Sequence, residues 1–297
     1  MLGAFKRSFH LFKESYRVLT LDKELLLFPI LSGLAFILLS LVFVFPFLLT
    51  SGAQGVGLLS EDAGGMALTA LFLVYYLLAY FVTLFFNTAL ISCAAIRLKG
   101  GDPTLADGFK SAFTHLWKIL LWALVAATVG LILQRLSERS GMIGKIAFAV
   151  LGMAWNLMTF FVVPVLIFER HSLWGSLQRS GHLFKKTWGE TVIGTASLSL
   201  FSFLLALAGF LLAAAIYVVY MLLTFPALPG FGTLLIGLVS FLFLYWGLLI
   251  VFASSLSGIF HTALYFYAST GKVPKAYSPE LVKGAFASKT ARLHGAI

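Results

Sequence analysis

The sequence is poor in what a water-soluble protein needs and in what most enzymes use. Only 11% of its 297 residues are charged, against roughly 25% in soluble domains, and only 11 are acidic. The single cysteine, Cys93, excludes an intramolecular disulfide and any cysteine-based metal cluster, and reads as a small packing residue. There is no HExxH, no Gly-rich phosphate loop and no Gly-x-Ser-x-Gly elbow. All the carboxylates lie in connections or at the ends of apolar stretches, which argues against a proton- or sodium-coupled transporter with membrane-embedded acids. Glu169 and His171 form the nearest acid and histidine pair, but a spacing of two places them on different faces of a helix. No catalytic residue, cofactor or metal site is expected.

What the chain has in excess is apolar surface. It is 60% hydrophobic, with 30 Phe and a mean hydropathy of +0.99. About 20 apolar helical residues cross a hydrocarbon core roughly 30 Å thick. Six stretches meet that length: Leu25 to Thr50, Met66 to Ile96, His115 to Gln134, Ile143 to Phe168, Thr191 to Leu223 and Thr233 to Thr270. They are apolar on every face, whereas barrel strands alternate, so the fold class is all-α: a single membrane domain over 1–297 with six transmembrane helices. The first stretch follows 24 amphipathic residues and is too long for a signal-peptide core, so it reads as a retained span. Gly52, Gly55, Gly57, Gly64 and Gly65 mark one external loop, and Pro226 with Pro229 a tight one.

Charge sets the orientation. Of 21 Lys and Arg, 18 precede span one, surround the second and fourth connections, or follow span six. Arg135, Arg139 and Lys145 alone occupy the other side. Short basic loops remain cytoplasmic, which assigns both termini to the cytoplasm and the excess charge to anionic headgroups. No basic run is long enough to favour nucleic acid.

A repeated segment precedes the odd-numbered spans. Arg7-Ser8-Phe9-His10-Leu11-Phe12-Lys13 matches Arg179-Ser180-Gly181-His182-Leu183-Phe184-Lys185 at six of seven positions. A looser copy comprises Phe109-Lys110-Ser111-Ala112-Phe113 and, after one inserted residue, His115-Leu116-Trp117-Lys118. The chain therefore reads as three hairpin repeats (3–98, 104–169 and 174–270) and a cytoplasmic tail (271–297), each repeat opened by an interfacial elbow helix. In the first elbow Phe5, Phe9, Phe12 and Tyr16 share a face, as in helices lying in the membrane plane; Phe5, Phe9, Phe113 and Phe184 are expected to meet acyl chains. Candidate lipid-headgroup residues are Lys6, Arg7, His10, Lys13, Lys110, His115, Lys118, Arg179, His182 and Lys185. The recurring histidines suit an amphipathic interface position better than a pH sensor. Three two-span units keep one orientation, which disfavours inverted-repeat transport.

The polar residues inside spans are few. Asn87, Asn156, Ser254, Ser257 and His261 are the candidate pore-lining groups, with Ser254, Ser257 and His261 on one stripe of span six. Interhelical hydrogen bonding is the plainer reading of them.

The chain resembles a family of bacterial six-span membrane proteins labelled only as a domain of unknown function, and is distantly similar to the membrane domain of glycerophosphodiester phosphodiesterases. The resemblance rests on Asp102-Pro103-Thr104-Leu105-Ala106-Asp107-Gly108, on Trp122-Ala123-Leu124 with Ala127-Thr128-Val129-Gly130, on Thr159-Phe160-Phe161-Val162-Val163-Pro164-Val165 before Glu169, and on Arg179-Ser180 with Thr187-Trp188-Gly189-Glu190. Leu173 and Gln178 stand where relatives favour Pro and Lys. The resemblance implies the elbow fold and a bacterial inner-membrane location, and carries no activity. Two functions follow: a non-catalytic membrane protein that binds anionic lipid or a protein partner through its elbows, or a passive channel formed by a homo-oligomer.

Overall fold

The structure is a computed structural model that describes residues 13–45, 63–224 and 231–271. Every regular element among them is a helix. A helix over 13–21 (α1) ends where Asp22 turns the backbone (φ −126°, ψ 78°), and a 3-10 turn, Lys23–Leu26, leads into α2 (Leu27–Phe43). There follow α3 (Ala63–Leu98), α4 (Leu105–Thr114), α5 (Leu116–Glu138), α6 (Met142–Thr159), α7 (Val162–Phe168), α8 (Leu173–Thr224) and α9 (Phe231–Thr270). Six segments are long and apolar enough to cross a bilayer: Lys23–Phe43, Thr69–Leu98, Leu116–Glu138, Met142–Phe168, Leu198–Val219 and Ile236–Thr270.

The fourth span departs from the uninterrupted helix expected over Ile143 to Phe168. Pro164 has no amide to donate to the Phe160 carbonyl, and its ring crowds that carbonyl, so α6 stops at Thr159 and α7 restarts at Val162. The Phe161 amide finds a partner in another element: it donates to Ser180 Oγ at 2.9 Å, and both residues are fully buried. The fifth span is the far part of α8, which bends at Thr187 (φ −122°, ψ 21°).

Consecutive spans pack together: α2 on α3, α5 on α6, and α8 on α9. Helix α3 is the hub, touching α2, α4, α5, α7 and α9. The buried core collects at the ends of the helices nearest Leu98, Phe168 and Thr270, where Ala89, Cys93 and Ala94 of α3 meet Phe28, Ala112, Phe161, Val165, Ile259 and Leu264. The far halves of the spans expose continuous apolar surface, including Leu38, Val42, Phe203, Phe210, Phe243 and Leu244.

Small residues make this core possible. Gly108 of α4 lies so close to α3 and α2 that a Cβ there would stand 2.5 Å from the Phe28 ring, 2.8 Å from Cys93 Sγ and 3.0 Å from the Ala89 carbonyl. Four residues on, Ala112 is wholly buried; in α8 the positions matching Gly108 and Ala112 are Ser176 and Ser180, also wholly buried. The repeated segment thus places small residues inward at a four-residue spacing in both copies that are described. Gly258 does the same for α9, where a Cβ would overlap Leu90 of α3 at 1.8 Å.

Gly108→Ala should lower stability by about 1–3 kcal/mol through overpacking. Gly181→Ala, where nothing lies within 4 Å of the new Cβ, should be neutral or stabilise α8 by up to about 1 kcal/mol. Thermal unfolding of the purified variants in detergent, followed by tryptophan fluorescence, separates the two.

Candidate functional site

At the end of the molecule holding the core, two clusters of polar side chains join separate helices. Arg97, in the last turn of α3, makes a bidentate pair with Asp22 and also contacts Asp102. Asp22 is nearly buried and Asp102 exposed, so the Asp22 pair ties the start of α2 to the end of α3 in a largely dry setting. Thr104 then opens α4 with a capping box: its hydroxyl donates to Asp107 Oδ2 at 2.7 Å and accepts from the Asp107 amide at 3.3 Å. The Thr104 hydroxyl and amide hold the Asp107 carboxyl below its ordinary range, helped by the nearby Lys110 charge.

The second cluster corrects the reading of Glu169 and His171. The backbone leaves the helix at Glu169 (φ −115°, ψ 146°), so the helical argument for separating the two side chains does not apply. His171 Nε2 lies 3.0 Å from Glu169 Oε2, Arg179 Nε donates to the same oxygen at 3.0 Å, and the Tyr265 hydroxyl donates to Oε1 at 3.1 Å. Glu169 thereby links α7, α8 and α9. Beside it, Lys99 Nζ stands 5.0 Å from the Phe266 ring centre and 5.8 Å from that of Phe168, within cation–π range.

The candidate headgroup residues divide accordingly. Lys6, Arg7 and His10, with Phe5, Phe9 and Phe12, lie outside the described residues. Lys13, Lys110, Lys185 and His182 are exposed. Arg179 is engaged by Glu169, and Lys118 Nζ reaches the Leu166 carbonyl at 3.5 Å, near the end of α7. His115 sits at the bend between α4 and α5, its Nδ1 2.8 Å from the Ser111 carbonyl, whereas the bend in α8 falls five residues after His182. The two described histidines therefore share no geometry. Phe184 points inward, its ring 6.2 Å from Phe160. Phe113, expected to face outward, is exposed, and so are Trp117, Trp174 and Trp188, residues whose rings suit a membrane–water boundary; Trp174 and Trp188 lie outside the heptapeptide match, which hid them.

Four of the five candidate pore-lining residues meet. Asn87 of α3 and Ser254, Ser257 and His261 of α9 line a cleft of about 450 Å³ closed on its third side by α2. Asn156 is exposed on α6 and does not line it. His261 is held by its ring contact with Phe160, 3.9 Å between centres. Among the described residues, no group of three or more His, Cys, Asp and Glu is placed to hold a metal ion.

The helices define a multi-pass, all-α membrane protein. A family model described as a family of unknown function (DUF6159) matches residues 65–275. The chain belongs to that family. No curated protein and no solved structure matches it.

The polar clusters generate two tests. Asp22→Asn should destabilise the protein by about 3 kcal/mol, as removal of one member of a buried ion pair does, while Asp102→Asn should cost less than about 1 kcal/mol; the difference in thermal midpoint measures this. Because the folded Asp107 carboxyl titrates below its unfolded value, its contribution is present above the ordinary carboxylate range and is lost as pH falls through the lower folded value. The stability gap between the native chain and Asp107→Asn should therefore close in acid and stay constant at neutral pH.

Proposed function

We propose that this is a non-catalytic integral membrane protein that holds anionic lipid, or a protein partner, at its basic end. The observation that carries the reading is the pairing of exposed aromatics and exposed cations on the same elements: Lys110 and Phe113 on α4 leading to Trp117, and Trp174, Lys185 and Trp188 on α8. In this reading α1, α4 and the first part of α8 are elbow helices in the interface, the chain is built of three hairpin repeats, and it sits in a bacterial inner membrane with both termini in the cytoplasm. The basic bias of 18 to 3 supports that orientation.

The strings that carry the family resemblance support a structural use of their polar residues. Asp102 contacts Arg97, Thr104 caps α4, Gly108 admits α4 to the core, Ser180 takes the amide freed at Phe161, and Arg179 pairs with Glu169. Each is engaged in holding helices together, which favours a binding module over an enzyme. The distant likeness to the membrane domain of glycerophosphodiester phosphodiesterases fits a lipid-facing module, and no diesterase chemistry is inferred from it. The alternative, a passive channel in a homo-oligomer, draws on the polar stripe of α9.

Native mass spectrometry of the protein in phosphatidylglycerol-containing micelles tests the reading. Replacing Lys13, Lys110, Lys118 and Lys185 by Gln should strip bound anionic lipid, at about 1 kcal/mol for each cation; unchanged lipid retention contradicts it. For orientation, cysteines introduced at Gln54 and Ser288 should label from outside and inside the cell respectively. External labelling at Ser288 would reverse the topology.

A further inference from the structure

The cleft between α2, α3 and α9 is not used by the reading above. Its position along the helices is informative. Asn87 lies eleven residues before the end of α3 and His261 nine before the end of α9, about 16 and 14 Å at 1.5 Å per residue. Both residues lie inside the apolar spans Thr69–Leu98 and Ile236–Thr270, so the cleft opens among the spans rather than beyond their ends. Six polar residues line it: Ser32, Thr83, Asn87, Ser254, Ser257 and His261. The side chains of Asn87, Ser254, Ser257 and His261 make no hydrogen bond to any described residue, whereas Thr83 on the cleft wall and Ser255 and Thr262 of α9 bond back to the turn before them. Hydrocarbon cannot satisfy such groups, and one hydrogen-bonding occupant of the cleft would meet several of them at once.

The lining also says what the occupant is not. It holds no Asp, Glu, Lys or Arg, which excludes a dehydrated ion and leaves a phosphate without a cation. Toward the basic end the cleft is closed by tightly packed Phe28, Leu90, Ile259 and Leu264, so it does not continue as an aqueous path. It opens sideways, past exposed Phe36, Thr83, Ser254 and Ile250, onto the apolar surface. The volume of about 450 Å³ falls in the range of small-molecule sites, roughly 300–1,000 Å³.

We propose that this cleft binds one uncharged amphiphile, entering from the bilayer, whose carbonyl or hydroxyl head bonds to Asn87, Ser257 and His261 while its apolar chain lies against Phe36, Phe86 and Ile250. An isoprenoid benzoquinone and a diacylglycerol both have this chemistry, and both heads can enter among the spans because neither carries charge. Gly33 offers a direct block: it lines the cleft and nothing lies within 4 Å of a Cβ built there, so a larger side chain fills the space without displacing a helix.

The test uses the full chain in phosphatidylcholine nanodiscs with three diazirine-bearing probes: a short-chain benzoquinone, a diacylglycerol and a phosphatidylglycerol. After photolysis, the labelled peptides are identified by mass spectrometry. The benzoquinone, the diacylglycerol or both should label residues 83–90 and 250–261, with competition by excess unlabelled compound, and which probe does so identifies the source. Labelling should fall at least tenfold in Gly33→Leu and in Asn87→Leu/His261→Phe, each checked for an unaltered thermal midpoint; where the double variant fails that check, Gly33→Leu decides. The Lys-to-Gln variants that remove headgroup binding should leave it unchanged, which separates this proposal from the lipid reading at the basic end. Labelling that is not competed, that persists in Gly33→Leu, or that is equally strong with phosphatidylglycerol overturns the proposal. So does solute flux through the protein that Gly33→Leu abolishes.

Discussion

A bilayer core gives a polar group no partner except the protein itself, and this constraint organises the molecule. Where the backbone is continuous, each span satisfies its own amides. Where Pro164 breaks one, the freed Phe161 amide must be met from another element, and Ser180 of α8 meets it. That single bond requires α8 to lie directly against the break, which in turn brings Arg179 to Glu169 and Glu169 to Tyr265. The same logic at the other side of the core places Asp22 against Arg97 and, through Gly108, seats α4 on α3. The dense core thus forms where chain breaks, turns and charges have to be resolved, while the far halves of the spans, with few polar groups, remain apolar and exposed.

This division separates two kinds of polar residue. Asp22 with Arg97, Glu169 with Arg179 and Tyr265, and Ser180 with the Phe161 amide join separate helices and act as fastenings. Those of the cleft between α2, α3 and α9 do not, and they lie where an unmet hydrogen bond is most costly. In the proposed reading, the exposed cations and aromatics of α4 and α8 and the neutral polar groups of the lateral cleft would hold lipids of different kinds at two depths.

The spans were legible because a run of twenty apolar residues has one inexpensive solution in a membrane. The stripe of Ser254, Ser257 and His261 was legible for a similar reason, since helical spacing alone puts the three on one face, and Asn87 joins them because α9 packs on α3 through Gly258. Asn156 of span four, a candidate on the same ground of being polar within a span, faces outward, and no local pattern distinguishes it from Asn87. The break in span four follows from Pro164, which was in plain view; its consequence for Glu169 and His171 was missed because their separation was argued as if the helix continued. The repeated segment was recognised by its charges and histidines, yet the feature common to its described copies is a pair of small inward residues, Gly108 and Ala112 or Ser176 and Ser180. Outward rings such as Trp174 and Trp188 lie outside the matched heptapeptide, and Phe184, inside it, turns to the core. Such facts depend on partners distant in the chain, which periodicity does not report.

The central claim is that polar groups in this membrane protein face either one another or lipid, and not a water path. A density map of the full chain in nanodiscs of mixed natural lipids, at a resolution that shows lipids and water, tests it most directly. The account predicts phosphate density beside Lys110 and Lys185 and an elongated, phosphate-free density entering the cleft from the bilayer to reach Asn87 and His261. A continuous file of waters passing between α2, α3 and α9 from one membrane surface to the other would contradict it.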